Sequence, residues 1–150
     1  MKSAFIKQND GYGYNASMLP NYDGFIIIKP GFLKYTDEII NDLHRRDFII
    51  IEAEEKTLTR EEAETIYGCH KDKDFFDELI EYMTEGPCIG IALLSPFFDR
   101  VSATEALNHL KIKYRRRYGI DKLHNVIHSS DCYQSALYEA ETFFNDVNPD

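Results

Sequence analysis

A histidine at the end of a short apolar run is the best candidate for chemistry in this chain. His128 follows Val126 and Ile127, and Asp131, which opens an amphipathic stretch, is typical of a helix N-cap. The pattern predicts that His128 ends a buried strand just before a helix N-terminus, where the helix dipole favours a phosphate. Because imidazole is used in covalent catalysis, the pattern indicates phosphoryl transfer. The alternative is a histidine with only a structural hydrogen bond at a strand end.

A basic run precedes this histidine in an otherwise acidic chain. The net charge of −9 opposes nonspecific binding to nucleic acid, since that binding depends on Lys and Arg neutralising phosphates. Five basic residues nevertheless cluster together, namely Lys111, Lys113, Arg115, Arg116 and Arg117. The run is either a solvated loop or a local polyphosphate site, and its position shortly before His128 favours the polyphosphate site.

The length and composition of the chain predict one globular domain without metal centres. A chain of 150 residues can bury one core. No apolar run reaches the length of a membrane span, and no signal-peptide pattern occurs at the start, so we expect a cytoplasmic protein that does not contact membranes. Cys69, Cys88 and Cys132 are odd in number and widely spaced, which argues against a disulfide framework or a zinc site.

The elements that position these residues are predicted from the spacing of apolar side chains. Residues 1–23 are polar and predict an extension that can pack as an arm on a neighbouring subunit, and residues 24–150 form the domain. Strands are predicted over residues 25–29, 48–53, 88–94 and 124–127. Helices are predicted after N-caps at Thr36 and Thr59, the latter in a capping box with Glu62, and over residues 75–83, 99–110 and 131–144, with an irregular segment over residues 114–122. This order predicts an α/β (α+β) ferredoxin-like sandwich, a four-stranded antiparallel sheet with helices packed on one face.

Four segments, in order along the chain, resemble the nucleoside diphosphate kinase family. They are the first strand with its Lys29-Pro30, the Tyr-x-x-His-Lys-x-x-x-Phe-Phe of residues 67–76, the Tyr-Met-x-x-Gly-Pro of residues 82–87 and the Ile-His-Ser-Ser-Asp of residues 127–131. Each motif alone is weak, but all four in order favour membership of this family and its ferredoxin-like fold.

The resemblance implies an enzyme that moves the γ-phosphoryl group of a nucleoside triphosphate to a nucleoside diphosphate through a phosphohistidine at His128. It implies that Glu139, with Ser130 nearby, orients the imidazole, although Glu141 is close in sequence. It further implies that Lys29 contacts the transferring phosphate. Other nucleotide contacts are implied for Tyr67, Phe75, Arg115 and Asn125, with Arg116 or Arg117 as alternatives to Arg115. Magnesium is implied as an ion carried by the nucleotide, without metal ligands from the chain.

The chain departs from the family at positions that bind phosphate. The helix arginine of the family aligns with Glu105, with Arg100 as the nearest alternative, and Ser129 replaces a glycine. The long loop after that helix is shortened and loses its threonine, which favours a homodimer over a hexamer. These losses leave open an alternative function, a catalytically weak or inactive nucleotide-binding or protein-interaction module on the same fold.

Overall fold

The computed structural model of the protein describes residues 22–144, which form four strands, five α-helices and two short 3-10 turns. The strands are β1 (Gly24–Ile28), β2 (Ile49–Lys56), β3 (Cys88–Leu94) and β4 (Ile127–Ser129). The helices are α1 (Thr36–Arg45), α2 (Arg60–Ile66), α3 (Phe76–Met83), α4 (Arg100–Tyr118) and α5 (Tyr133–Phe144). None of the described helices is long and apolar enough to cross a membrane.

The four strands form one antiparallel sheet in the order β2-β3-β1-β4. This confirms the predicted fold class. β1 is central and pairs with β3 on one side and β4 on the other. His128 lies opposite Ile27 in the β1–β4 ladder, so pairing with the central strand β1 fixes the position of its backbone.

Helices cover both faces of the sheet, and the prediction of helices on one face is wrong. Ile26 and Ile28 pack into a core with side chains of α1 and α4, whereas Phe25 and Ile27 pack into a second core with side chains of α2, α3 and α5. The physical reason is that β1 is apolar at consecutive positions and is buried along its whole length. A strand with two apolar sides has to be covered on both.

Helix α4 continues eight residues beyond its predicted end at Leu110, to Tyr118. Leu107, Leu110 and Tyr114 are buried at helical spacing, and the Tyr114 hydroxyl donates to Asp42 on α1 at 3.1 Å. The basic residues of the run therefore lie on a helix up to Tyr118, and the predicted irregular segment is wrong over residues 114–118. Burial of the Tyr114 side chain stabilises the helix here, although the neighbouring residues are polar.

Local boundaries near the candidate histidine also differ from the prediction. β4 begins at Ile127 rather than at residue 124, so His128 lies inside the strand. α5 begins at Tyr133, and the N–H of Ala136 donates to the Cys132 carbonyl, so Asp131 is not the N-cap. The short connection after β4 uses residues that the prediction assigned to the first helical turn.

The two threonines predicted to cap helices behave differently. Thr59 accepts from the N–H of Glu62 at 3.1 Å while the Glu62 carboxylate accepts from the N–H of Thr59 at 2.9 Å, which confirms the capping box. Thr36 is instead the first residue of α1, and its hydroxyl donates to the Leu33 carbonyl at 2.6 Å. A 3-10 turn enters α1 directly, so the cap predicted at Thr36 is wrong.

The predicted N-terminal extension, residues 1–23, lies outside the described residues except for its last two. Tyr22 is buried, and its hydroxyl donates to Glu52 on β2 at 3.1 Å. Asp23 accepts from the Ser95 N–H at 2.7 Å and lies 3.6 Å from the guanidinium of Arg100. These two residues pack as part of the domain, which therefore begins at least two residues before the predicted boundary at residue 24.

Candidate active site

His128 is held by a carboxylate on the helix that follows it. Its Nε2 donates to Oε1 of Glu139 on α5 at 2.7 Å, and the hydroxyl of Ser130 donates to the same oxygen at 2.6 Å. Glu139 is buried, and the His128 side chain is 14% exposed. Because a carboxylate oxygen accepts both bonds, the proton of the neutral imidazole lies on Nε2. Nδ1 therefore keeps its lone pair and is the nitrogen available for chemistry.

A strained turn precedes His128. Val126 has a φ of 81°, and the N–H of Ile127 donates to the Asn125 carbonyl at 3.0 Å, which together define a γ-turn. A positive φ is unfavourable for a β-branched residue and costs roughly 1–3 kcal/mol. Burial of the Val126 side chain and a 2.9 Å bond from the Lys29 N–H to its carbonyl hold the turn in place. The turn separates Asn125 from β4, and Asn125 and His128 both line one cleft.

Lys29, the residue after β1, is a buried cation beside this turn. It is 3% exposed, and its Nζ donates to the side-chain oxygen of Asn125 at 2.6 Å and to the Leu123 carbonyl at 3.4 Å. Burial, together with the positive charges of Arg115 and Lys111, lowers the pKa of Lys29 to about 7. An anion bound next to Nζ would reverse part of that shift, so the charge of Lys29 responds to what occupies the cleft.

Arg115 is the arginine of the basic run that faces the cleft. It lies on α4, and its Nε donates to the Ile127 carbonyl at 3.1 Å, next to His128. Arg116 is exposed, and Arg117 lies 3.6 Å from Glu38 on α1. The continuous helix turns those two side chains away, which decides among the three arginines that the sequence left open.

Two buried polar atoms near His128 lack partners among residues 22–144. The Tyr67 hydroxyl is buried without a hydrogen bond, and the ring of Tyr67 meets the edge of the His128 ring at a centroid distance of 4.9 Å. Burial raises the pKa of Tyr67 well above its usual range, so the phenol stays protonated as a donor. Nδ1 of His70 is also buried and unpaired. A bound anion or polar ligand would satisfy such atoms.

The cleft has a volume of about 710 Å³ and brings together most of the side chains that the sequence singled out. Lys29, Tyr67, Phe75, Arg115, Asn125 and His128 all line it. Glu139 lies behind His128 and reaches the cleft only through the imidazole. The far end is formed by Phe75, which is 38% exposed, and by a turn of α3 that contributes Glu78 and Leu79.

Sequence reasoning missed the remaining lining residues, which are His70, Glu78, Leu79, Asp121, Lys122, Leu123 and His124. Only His70 had a usable signal, because it is the histidine of the Tyr-x-x-His-Lys motif. The segment 121–125 has no periodicity, and it lines the cleft because Asp121 organises it. The Asp121 carboxylate accepts from the N–H groups of Leu123 and His124 at 2.9 and 2.7 Å.

Neither candidate for the family's helix arginine reaches the cleft. Glu105 is exposed on α4. Arg100 lies 3.6 Å from Asp23 and 3.7 Å from the ring centre of Tyr133, at the N-terminal end of α4. Glu105 therefore does not repel an anion in the cleft by direct contact, and Arg100 does not hold one.

The described residues do not form a metal centre of protein ligands. No group of three or more His, Cys, Asp or Glu side chains within residues 22–144 is arranged to hold a metal ion. The cysteines Cys69, Cys88 and Cys132 are all free thiols. The chemistry available from the chain itself is a nucleophilic nitrogen with one fixed tautomer, surrounded by cationic and hydroxyl donors.

Comparisons with known proteins agree with this geometry. The model of the family described as nucleoside diphosphate kinase matches residues 23–148. A nucleoside diphosphate kinase of Carboxydothermus hydrogenoformans is 35% identical over 129 residues, which cover 81% of this chain and 87% of that protein. The apo structure of the Encephalitozoon cuniculi nucleoside diphosphate kinase superposes with a TM-score of 0.72 at 27% identity, covering 85% of this chain and 92% of the other. The Halobacterium salinarum nucleoside diphosphate kinase, solved in complex with CDP, has a TM-score of 0.69 at 25% identity, covering 85% and 91%.

Proposed function

The chain belongs to the nucleoside diphosphate kinase family, and from that premise we propose that His128 carries the phosphoryl group that this enzyme transfers. The activity is nucleoside diphosphate kinase-like phosphotransfer. One observation supports the role of His128 most directly, namely the 2.7 Å bond that commits Nε2 to Glu139. This bond leaves Nδ1 as the nucleophile in the cleft.

In the first half-reaction, the lone pair of Nδ1 attacks the γ-phosphorus of a nucleoside triphosphate. The P–Nδ1 bond forms as the bond to the bridging oxygen breaks, and the nucleoside diphosphate leaves with that electron pair. Nε2 keeps its proton, and the carboxylate of Glu139 stabilises the positive charge of the phosphorylated ring. A second nucleoside diphosphate then enters the same cleft and takes the phosphoryl group by the reverse of these steps.

Lys29 and Tyr67 are the donors proposed for the transferring group. In phosphoryl transfer the negative charge spreads over three equatorial oxygens, so fixed donors around them stabilise the transition state. The Tyr67 hydroxyl is unpaired among the described residues, and the pKa of Lys29 near 7 rises when a phosphate arrives. Tyr67 is therefore a protonated donor whether or not the cleft is occupied, whereas Lys29 gains positive charge when a phosphate binds.

The rest of the nucleotide is proposed to extend toward Phe75. Arg115 and His70 line the cleft beside His128 and donate to the phosphates that are not transferred. Asn125 already binds Lys29 through its side-chain oxygen, whose second lone pair accepts from a ribose hydroxyl. Phe75 offers a ring face to the base, and stacking of this kind tolerates any base.

Magnesium is proposed to enter with the nucleotide. Mg²⁺ on the phosphates would neutralise charge between the β and γ oxygens and needs few protein ligands. Two carboxylates line the cleft, Glu78 and Asp121, and both oxygens of Asp121 are engaged with His124 Nδ1, at 2.9 and 3.1 Å. The residues present therefore fit an ion held by phosphate and water.

A cytoplasmic homodimer is the proposed form of the enzyme. The connection between α4 and β4 is too short for the loop through which the family builds hexamers. The predicted role of residues 1–23 as an arm on the neighbouring subunit stays a prediction, because those residues lie outside the described part apart from Tyr22 and Asp23.

One observation favours the second candidate, a nucleotide-binding module with little or no turnover. The cleft lacks the helix arginine, since Glu105 is exposed and Arg100 is engaged with Asp23. Such a module would bind nucleotides without forming a phosphoenzyme.

Labelling with γ-³²P ATP tests the proposal. The wild-type chain is expected to take up label that is stable in base and labile in acid, and a nucleoside diphosphate is expected to remove it. His128→Ala should take up none, while His109→Ala, which changes an exposed histidine on α4, should behave as the wild type. Label that persists in His128→Ala would assign the carrier to another residue. Binding of ATP without any label would favour the module.

A further inference from the structure

Lys111 is a half-buried lysine whose charge has no partner within residues 22–144, where it makes neither a hydrogen bond nor an ion pair. Burial and then the charge of Arg115 lower the pKa of Lys111, while Asp131 and Glu139 act in the opposite direction. Lys113, two residues later, contrasts with it, because its Nζ lies 2.7 Å from the buried Asp42. Taking an ammonium partly out of water without a partner is costly, which points to a ligand outside the chain.

The position of Lys111 on α4 places it beside the candidate active site. Residues four apart on a helix lie on one face with Cβ atoms about 6 Å apart, so Lys111 is the neighbour of Arg115 one turn earlier. Arg115 lines the cleft and donates to the Ile127 carbonyl. The charges of Asp131 and Glu139, which follow His128 in the chain, raise the pKa of Lys111. The charge of Lys111 in turn lowers the pKa of Lys29. Lys29 and Arg115 line the cleft with His128, and Lys111, which is not among the lining residues, adds a third cation one turn from Arg115 to complete a cluster.

The cluster has more positive charge than the transferred group alone requires. Transfer leaves a nucleoside diphosphate with about three negative charges in the cleft, and Lys29 and Arg115 together supply at most two positive charges. Arg100 is too distant to help, since it lies about 16 Å from Lys111 along the α4 axis at 1.5 Å per residue. A flexible lysine stem can bring its ammonium to a phosphate as a point charge.

We propose that Lys111 binds the non-transferred phosphates of the nucleotide together with Arg115. This proposal rests on the proposed function, because it adds a phosphate-binding residue next to Arg115 of the same site. It also explains how this chain could bind a nucleotide although it lacks the family's helix arginine and keeps the groups proposed to react. In this chain α4 continues through this region, and Lys111 supplies the cation one turn before Arg115.

Nucleotide binding measured by calorimetry tests this assignment without turnover. Lys111→Gln should bind ADP about tenfold more weakly than the wild type, as expected for one lost bond to a charged group, while binding of adenosine should not change. AMP should lose less affinity than ADP. Lys111→Arg should keep most of the affinity for ADP because it keeps the charge.

Arg116→Gln is the matched control, since it removes the same unit charge from an exposed position on the same helix. It should bind ADP as the wild type does. Equal ADP affinity in Lys111→Gln and the wild type would overturn the proposal, and so would a loss of affinity that is the same for adenosine and ADP. Should Lys111→Gln unfold, Lys111→Met keeps the length and packing of the side chain and decides the question.

Phosphoenzyme formation at saturating ATP separates this proposal from the proposed function. Lys111→Gln should still take up label on His128, because its nucleophile and Glu139 are intact. A wild-type chain that binds ADP through Lys111 but takes up no label would refute the phosphocarrier role and leave the phosphate-binding role standing.

Discussion

The two ends of the cleft are built differently. At the reacting end, Lys29 and Tyr67 are buried, and His128 is hydrogen-bonded to Glu139. Lys29 follows β1, and His128 lies on β4, which pairs with β1. At the far end, Phe75 is exposed and immediately precedes α3, whose first turn contributes Glu78 and Leu79. The positions of the groups proposed to move a phosphoryl group are therefore fixed by packing, whereas the ring proposed to stack on the base is partly exposed.

This difference has a physical consequence for specificity. Transfer between phosphorus and nitrogen depends on sub-ångström placement of donors, and buried side chains with fixed partners supply it. Stacking on an exposed ring needs no fixed partner and discriminates weakly among bases. Substitutions at the reacting end should therefore change kcat, and substitutions at the far end should change KM.

The largest effect after loss of His128 is expected for Glu139→Gln. An amide in place of the carboxylate can donate to Nε2, which would move the imidazole proton to Nδ1 and remove the nucleophilic lone pair. By analogy with the loss of an orienting carboxylate in other histidine sites, kcat should fall about 10³-fold or more with little change in KM. Steady-state kinetics with ATP and a diphosphate acceptor measures this. Glu141→Gln, at an exposed position two residues later, should keep wild-type kcat.

The next effect is expected for Lys29→Met, which keeps the buried stem and removes the ammonium. Loss of one preorganised donor from a site of this kind costs on the order of 10²-fold in kcat. Single-turnover transfer from ATP to the protein measures the loss. Lys34→Met removes an exposed ammonium near the same strand and should have no effect. A Lys29→Met rate within a factor of three of the wild type would show that the reacting end does not depend on this cation.

The affinity for ADP should depend on pH through Lys29. Its pKa is lowered to about 7, and the phosphate binds the protonated form, so each pH unit above about 7 should raise the Kd about tenfold until other groups dominate. A lysine with its ordinary pKa would give a flat profile up to about pH 10. Titration calorimetry from pH 7 to 9 checks this, and adenosine, which has no phosphate, should bind equally over the range. An ADP affinity that stays constant to pH 9 contradicts the prediction.

The smallest effect is expected for Phe75→Ala at the far end. Because the ring is only partly covered, KM for the nucleotide should rise about fivefold, the lower limit for one stacked base, with kcat unchanged. The rise should be similar for purine and pyrimidine substrates. Phe97→Ala alters a ring that is 74% exposed elsewhere on the protein and should leave KM unaltered. A kcat that falls in Phe75→Ala would mean that the two ends are coupled.

The sequence alone determined the elements whose signals are local. The Thr59–Glu62 capping box, the strand at residues 88–94 and the order of strands and helices were all predicted, because hydrogen bonds to nearby backbone and side-chain periodicity act over a few residues. The same is true of the histidine motif, whose residue types limit its chemistry before any fold is known.

Only the tertiary structure decided which atoms meet. Glu139 is eleven residues from His128, and its carboxylate meets Nε2 of the imidazole because of the way α5 packs against the sheet. This contact leaves Nδ1 free to react. The length of α4 depends on Tyr114 reaching Asp42 on another helix, and the next residue, Arg115, then bonds to the Ile127 carbonyl beside the histidine. The lowered pKa of Lys29 arises chiefly from its burial just after the end of β1. Burial and contacts between distant segments are properties of the packed molecule, and no local pattern of residues contains them.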